Sequence, residues 1–280
     1  MPSTELTGSH VPKALVCGPV RAWHVVFLYV VIFVVTAMAS VKLTATADPE
    51  WQLAWSSLLC QTITALLVAL ITLIVPELRR SVGTLFGPGR TPLTVTDALL
   101  YLALMLTWAY GAYRILFTFP LLHWNPGLSS LLGYYDHFPA VGAVFLLFWS
   151  MSTGLVAPFA EELVFRGYLQ NLWHARRGLW LAVVLSAICF GLPHMQFAVF
   201  ATVAGVFLSL VYLKFGSLCP GMLLHGLYNL IAAPYLLGHV FAEKRVGDFA
   251  SLSNWIPELI LTAAFFPLLY VFWRRFRPHT

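Results

Sequence analysis

Two adjacent acids and an arginine, in the run Glu161-Glu162-Leu163-Val164-Phe165-Arg166, stand in a neighbourhood otherwise built of Phe, Leu, Val and Tyr. Charged side chains at membrane depth are costly and mark a functional site by default. Two further pairs break the apolar pattern downstream. One is Phe190 and His194 in Phe190-Gly191-Leu192-Pro193-His194; the other is His225 and Asn229 in His225-Gly226-Leu227-Tyr228-Asn229. A carboxylate or an imidazole can deprotonate a water molecule. An imidazole and an amide N–H can stabilise an oxyanion, most strongly where bulk water is excluded. An acid, two imidazoles and an amide together suit hydrolysis.

Helical spacing divides the labour. Glu162 and Arg166 are four apart, share a face and can pair, with Glu in the favourable N-terminal position. Glu161 points about 100° away, so it is free for other work. His225 and Asn229 also share a face and can enter one cavity. Each group has a bland reading: an ion pair near the interface, a hydrogen-bonded histidine at a helix end, a polar pair joining helices.

The elements that must position these groups are membrane spans. The chain has 280 residues, 60% hydrophobic and 10% charged, with a mean hydropathy of +0.82; soluble domains carry roughly 25% charge. The expected fold is all-α: a polytopic membrane helical bundle of about eight transmembrane helices with both termini cytoplasmic, forming one integral membrane domain over 1–280. A crossing helix needs about 20 apolar residues. The expected spans are Ala22–Val41, Trp51–Val75, Ala98–Phe119, Ala140–Trp173, Leu179–Leu192, Phe197–Phe215, Pro220–Leu237 and Trp255–Trp273, the fifth being short. With the N-terminus inside, twelve of the sixteen Lys and Arg fall on the cytoplasmic side and four, Lys42, Arg114, Lys244 and Arg245, outside; that is the positive-inside bias. Arg79 and Arg80 are read as loop residues, Arg114 as snorkelling to the interface, Glu258 as a first-turn acid, His24 as interfacial and Gly167 as a close-packing position. The net charge of +5 comes from span ends rather than a basic tract, so nucleic acid is not an expected partner. The four cysteines show no CxxC spacing.

The three groups, in order, resemble the EExxxR, FxxxH and HxxxN motifs of the CPBP intramembrane protease family, the CAAX-type and bacteriocin-processing proteases. The resemblance covers about 140–237, the protease core. It implies a glutamate-type intramembrane endopeptidase with its cavity open toward the cytoplasm. Glu161 and His194 would activate the attacking water; His225 and Asn229 would form the oxyanion hole; Glu162, Arg166 and Phe190 would support them. No cofactor is expected. Zinc is possible through Glu161, His194 and His225 but disfavoured, because the chain has no HExxH. The expected partners are membrane lipids and a membrane-associated peptide or protein substrate; the expected location is a prokaryotic inner membrane. The competing readings are a non-catalytic scaffold or bacteriocin-immunity protein of the same fold, and a small transporter using the acids and histidines as a proton relay, for which no repeated half is visible.

Overall fold

The computed structural model describes residues 19–45, 49–118, 120, 143–237 and 255–278. All regular structure among them is helical. Helix α1 is Ala22–Leu43, α2 is Pro49–Ile74, α3 is Pro76–Leu85 and α4 is Val95–Thr107, which continues through π-helical turns at Trp108–Ala112 and Arg114–Thr118. Next come α5 (Ala143–Met151), α6 (Ala157–Glu161) and α7 (Asn171–Arg177), joined by π-helical turns at Ser152–Val156 and Glu162–Gln170. Helix α8 is Leu179–Gly191, α9 is Ala198–Phe215, α10 is Leu218–Leu237 and α11 is Ile256–Phe276. Among the described residues five helices are long and apolar enough to cross a bilayer: Ala22–Leu43, Trp55–Ile74, Val95–Phe117, Ala198–Phe215 and Ile256–Phe276. Two shorter apolar helices, Leu179–His194 and Leu218–Ala232, accompany them. The protein is an integral, multi-pass helical membrane bundle. Large apolar side chains such as Trp23, Phe27, Met38 and Leu70 point outward, as lipid-facing positions require.

Five of the eight expected spans coincide with the long helices and two, the fifth and seventh, with the shorter apolar ones, while the fourth, Ala140–Trp173, is from Ala143 a helical run broken by π-helical turns and is not among these candidate spans. Residues 140–142 and 119 fall outside the described set, as does the loop His123 to His137. Arg79 and Arg80, expected in a loop, sit instead on α3. Proline at its first position supplies the preset φ, and Leu78, Ser81 and Leu85 bury one face of it. Arg114 does not snorkel to lipid headgroups. Its Nη1 lies 3.5 Å from Oε1 of Glu258 in the first turn of α11, and Glu258 is buried.

Lipid offers no hydrophobic drive between helices, so polar ties and close backbone approach hold such bundles. Thr36 and Thr64 hydroxyls meet at 2.9 Å between α1 and α2. Thr72 meets the Tyr168 hydroxyl at 2.8 Å. At another point Asp97, capped by Thr94 at the start of α4, takes Arg275 Nε of α11 at 2.6 Å and Lys214 Nζ of α9. One carboxylate thus joins three helices.

The continuous run from Ala143 to Arg177 has an identifiable local cause for its first irregularity. Pro158 has no N–H for the carbonyl of Gly154 four residues back. The winding changes before it, and the Ala157 N–H pairs with the Ser152 carbonyl five residues back. Helix α10 then crosses here at backbone contact: a Cβ on Gly226 would lie 2.4 Å from the Gly154 carbonyl oxygen. Gly167 is the close-packing position the sequence suggests, since a Cβ there would stand 3.2–3.3 Å from Leu218, Leu163 and Leu85. We expect Gly226→Ala to push the two helices apart and destabilise the fold by about 1–3 kcal/mol, read as a lowered midpoint of thermal unfolding in detergent. An unchanged midpoint would contradict the crossing described.

Candidate active site

Helix α6 ends at Glu161 and the π-helical segment begins at Glu162, so the change of winding falls between the two acids. π-Helical insertions occur often at functional sites. The two carboxylates meet different surroundings. Glu162 and Arg166 have no exposed side-chain surface, and Glu162 Oε1 lies 2.9 Å from Arg166 Nη1. This is the four-residue pair the sequence anticipates. The guanidinium also donates from Nη2 to the Gly205 carbonyl of α9 at 3.1 Å. It stands over the Phe190 ring with 4.4 Å to the centroid, a cation–π contact that is strongest when desolvated. Glu161 keeps 11% of its side-chain surface open.

His225, on α10, lies between the two acids. Its Nδ1 is 3.0 Å from Glu162 Oε1, and its Nε2 is 3.7 Å from Glu161 Oε2. A carboxylate only accepts, so Nδ1 carries a proton. Nε2 therefore accepts when the ring is neutral and donates when it is charged. A carboxylate behind an imidazole fixes its tautomer and orientation, as in hydrolytic triads.

His194 lies in the 3₁₀ turn Leu192–Phe197 that follows α8. Its Nδ1 is 2.8 Å from the Phe190 carbonyl. A carbonyl also only accepts, so Nε2 of the neutral ring keeps its lone pair and can act as a base. Both imidazoles lie against one ring: Phe190 is 4.9 Å from His194 and 5.7 Å from His225 between centroids. Asn229, one turn beyond His225, donates an amide N–H to the Thr153 carbonyl at 2.7 Å. Its second N–H and its Oδ1 are what it can offer a substrate.

The structure therefore brings Glu161, Glu162, Arg166, Phe190, His194 and His225 around one centre, and ties Asn229 to the π-helical turn just before Glu161. Several participants carry no motif. Ser186 donates to the Phe165 carbonyl at 2.7 Å. Asn171 Nδ2 donates to the carbonyls of Gly167 at 2.8 Å and Arg166 at 3.2 Å, and to the Tyr212 hydroxyl oxygen at 2.8 Å. Gly205 supplies the carbonyl for Arg166. Small and amide residues inside apolar runs were the available signal. The side-chain polar atoms of buried Gln170 and Ser209 have no hydrogen-bond partner among the described residues, nor have Glu162 Oε2 and Arg166 Nε. Among the described residues no three His, Cys, Asp or Glu side chains gather so as to hold a metal ion.

Fold and site together define a polytopic membrane protein with carboxylates, imidazoles and an amide gathered inside its bundle. Residues 143–231 match the family model described as Type II CAAX prenyl endopeptidase Rce1-like. The matched stretch holds every residue of the centre, and the match supports a likeness to the CPBP/CAAX protease family. Comparison with curated proteins and with solved structures finds no match.

The buried pair makes a stability prediction. We expect Arg166→Met to strand the Glu162 charge and to destabilise the protein by about 3–5 kcal/mol. The double variant Glu162→Gln/Arg166→Met should recover a substantial part of that loss. Thermal unfolding of the purified variants in detergent measures both, and a double variant no better than the single one would count against a dominant charge effect.

Proposed function

We propose that the chain is an intramembrane endopeptidase of the CAAX-prenyl-endopeptidase type. On this reading it hydrolyses a peptide bond of a membrane-associated peptide or protein. The observation that carries it is the asymmetry of the two acids. Glu162 is neutralised by Arg166 and fully buried, while Glu161, also largely buried, keeps 11% of its side-chain surface exposed and faces His225 Nε2 at 3.7 Å.

In the proposed reaction Glu161, assisted by the Nε2 lone pair of His194, takes a proton from water. The water oxygen attacks the scissile carbonyl carbon, and the C–O π pair moves onto oxygen. His225, charged at Nε2, and the second Asn229 N–H donate to that oxyanion, in the manner of an oxyanion hole. Collapse breaks the C–N bond, and the leaving amine recovers the proton held by Glu161 or His194. The scheme needs no metal ion. Glu162 and Arg166 take no part in proton transfer; they hold His225 Nδ1. Phe190 packs against both rings.

We expect Glu161→Gln, close in shape and unable to accept a proton, to keep the fold and lower kcat by about 10²–10⁴-fold. The assay is cleavage of a lipidated, internally quenched peptide in proteoliposomes. Turnover within a few-fold of the parent chain would remove Glu161 from the reaction, and a biological phenotype unaffected by the same change would favour a scaffold of the same fold.

A further inference from the structure

A second feature lies away from the polar centre. Helices α1, α7 and α8 line an open groove of about 890 Å³. Ala22, Val26 and Val30 follow one face of α1 along it, an apolar strip about 12 Å long at 1.5 Å per residue. Trp23 and Trp173 stand beside the strip, and Arg21, Arg176 and Arg177 line the groove where α1 begins and α7 ends. None of the three guanidiniums has a carboxylate partner among the described residues. Burial, and then the charge of Arg21, lower the proton affinity of Arg176. Helix α1 adds to the field: its first turn has no acidic residue, and the dipole at a helix N-terminus favours an anion.

Positive charge at one end of a lipid-facing apolar strip fits a single ligand chemistry, an amphiphile with an anionic head. We propose that this groove is a binding site for an anionic phospholipid, its headgroup phosphate on Arg21, Arg176 and Arg177 and an acyl chain along Ala22, Val26 and Val30. A zwitterionic lipid has the same tail but brings its own cation to the arginines. The site depends on the fold and not on the proteolytic reading.

Trp23 and Trp173 allow a direct test. The full chain is reconstituted in phosphatidylcholine vesicles carrying either acyl-brominated phosphatidylglycerol or acyl-brominated phosphatidylcholine at equal mole fraction. Bromine quenches tryptophan on contact, and the Trp23→Phe/Trp173→Phe variant gives the share of quenching owed to the groove. We expect that share to be severalfold larger with phosphatidylglycerol. The preference should vanish in Arg21→Gln/Arg176→Gln/Arg177→Gln and persist when the three residues are changed to lysine. Should the triple variant fail to fold, Arg21→Gln and Arg176→Gln read singly should each reduce it. Equal quenching by the two lipids, a preference untouched by the glutamine variants, or displacement of the lipid by soluble glycerol 3-phosphate at matched concentration would each overturn the proposal.

Discussion

A guanidinium with no exposed surface is the constraint on which the rest of the site depends. Removing a cation from water costs several kcal/mol even after relaxation, so Arg166 needs compensating partners. It has the Glu162 carboxylate on its own helix, the Gly205 carbonyl on α9 and the Phe190 face on α8. Each of these partners fixes another element. Gly205 brings α9 within 3.0 Å of a Cβ contact with the Ala187 backbone of α8, and Phe190 sets the rings of His194 and His225. The charge of Arg166 thus draws three helices to one point and leaves Glu162 with an oxygen to share with His225.

That arrangement explains why two neighbouring glutamates can differ in use. A sealed, neutralised carboxylate can orient an imidazole but is poorly placed to receive a substrate or a water. An open one beside that imidazole can do both. The difference arises from about 100° of helix rotation and from what packs on either side, not from the identity of the side chains. His225 is the link, since its two nitrogens face the two acids separately.

Much of this was legible in the residues. The four-residue spacing of Glu162 and Arg166 foretold their pair, and that of His225 and Asn229 a common helical face. Apolar runs of span length foretold the long helices. What the sequence left hidden has a common physical character: contacts made by residues that look ordinary. The Phe190 face on Arg166, the Gly205 carbonyl, and the Ser186 and Asn171 donors depend on three-dimensional register between helices, which no periodicity encodes. Arg114 misled for a related reason. A long basic side chain near a span end reads as headgroup-seeking, but Glu258, more than a hundred residues on, lies within reach once α11 packs against the π-helical end of α4.

The irregular backbone itself argues for a chamber at this place. Within a bilayer, departures from α geometry are tolerated only where protein or a water-lined cavity meets the backbone groups. The run from Ala143 to Arg177 departs twice, on either side of Glu161. In both places side chains meet the carbonyls: Asn229 at Thr153, Ser186 at Phe165, and Asn171 at Arg166 and Gly167. Pro158 makes the first departure unavoidable, and Gly154 with Gly226 makes room for the helix that carries His225. A regular α-helix here would satisfy its own backbone and give up these cross-helix donors. The protein holds the less regular winding with hydrogen bonds contributed from Ser186 on α8, Asn229 on α10 and Asn171 on α7, and Glu161 stands between the two departures with a small part of its side chain exposed.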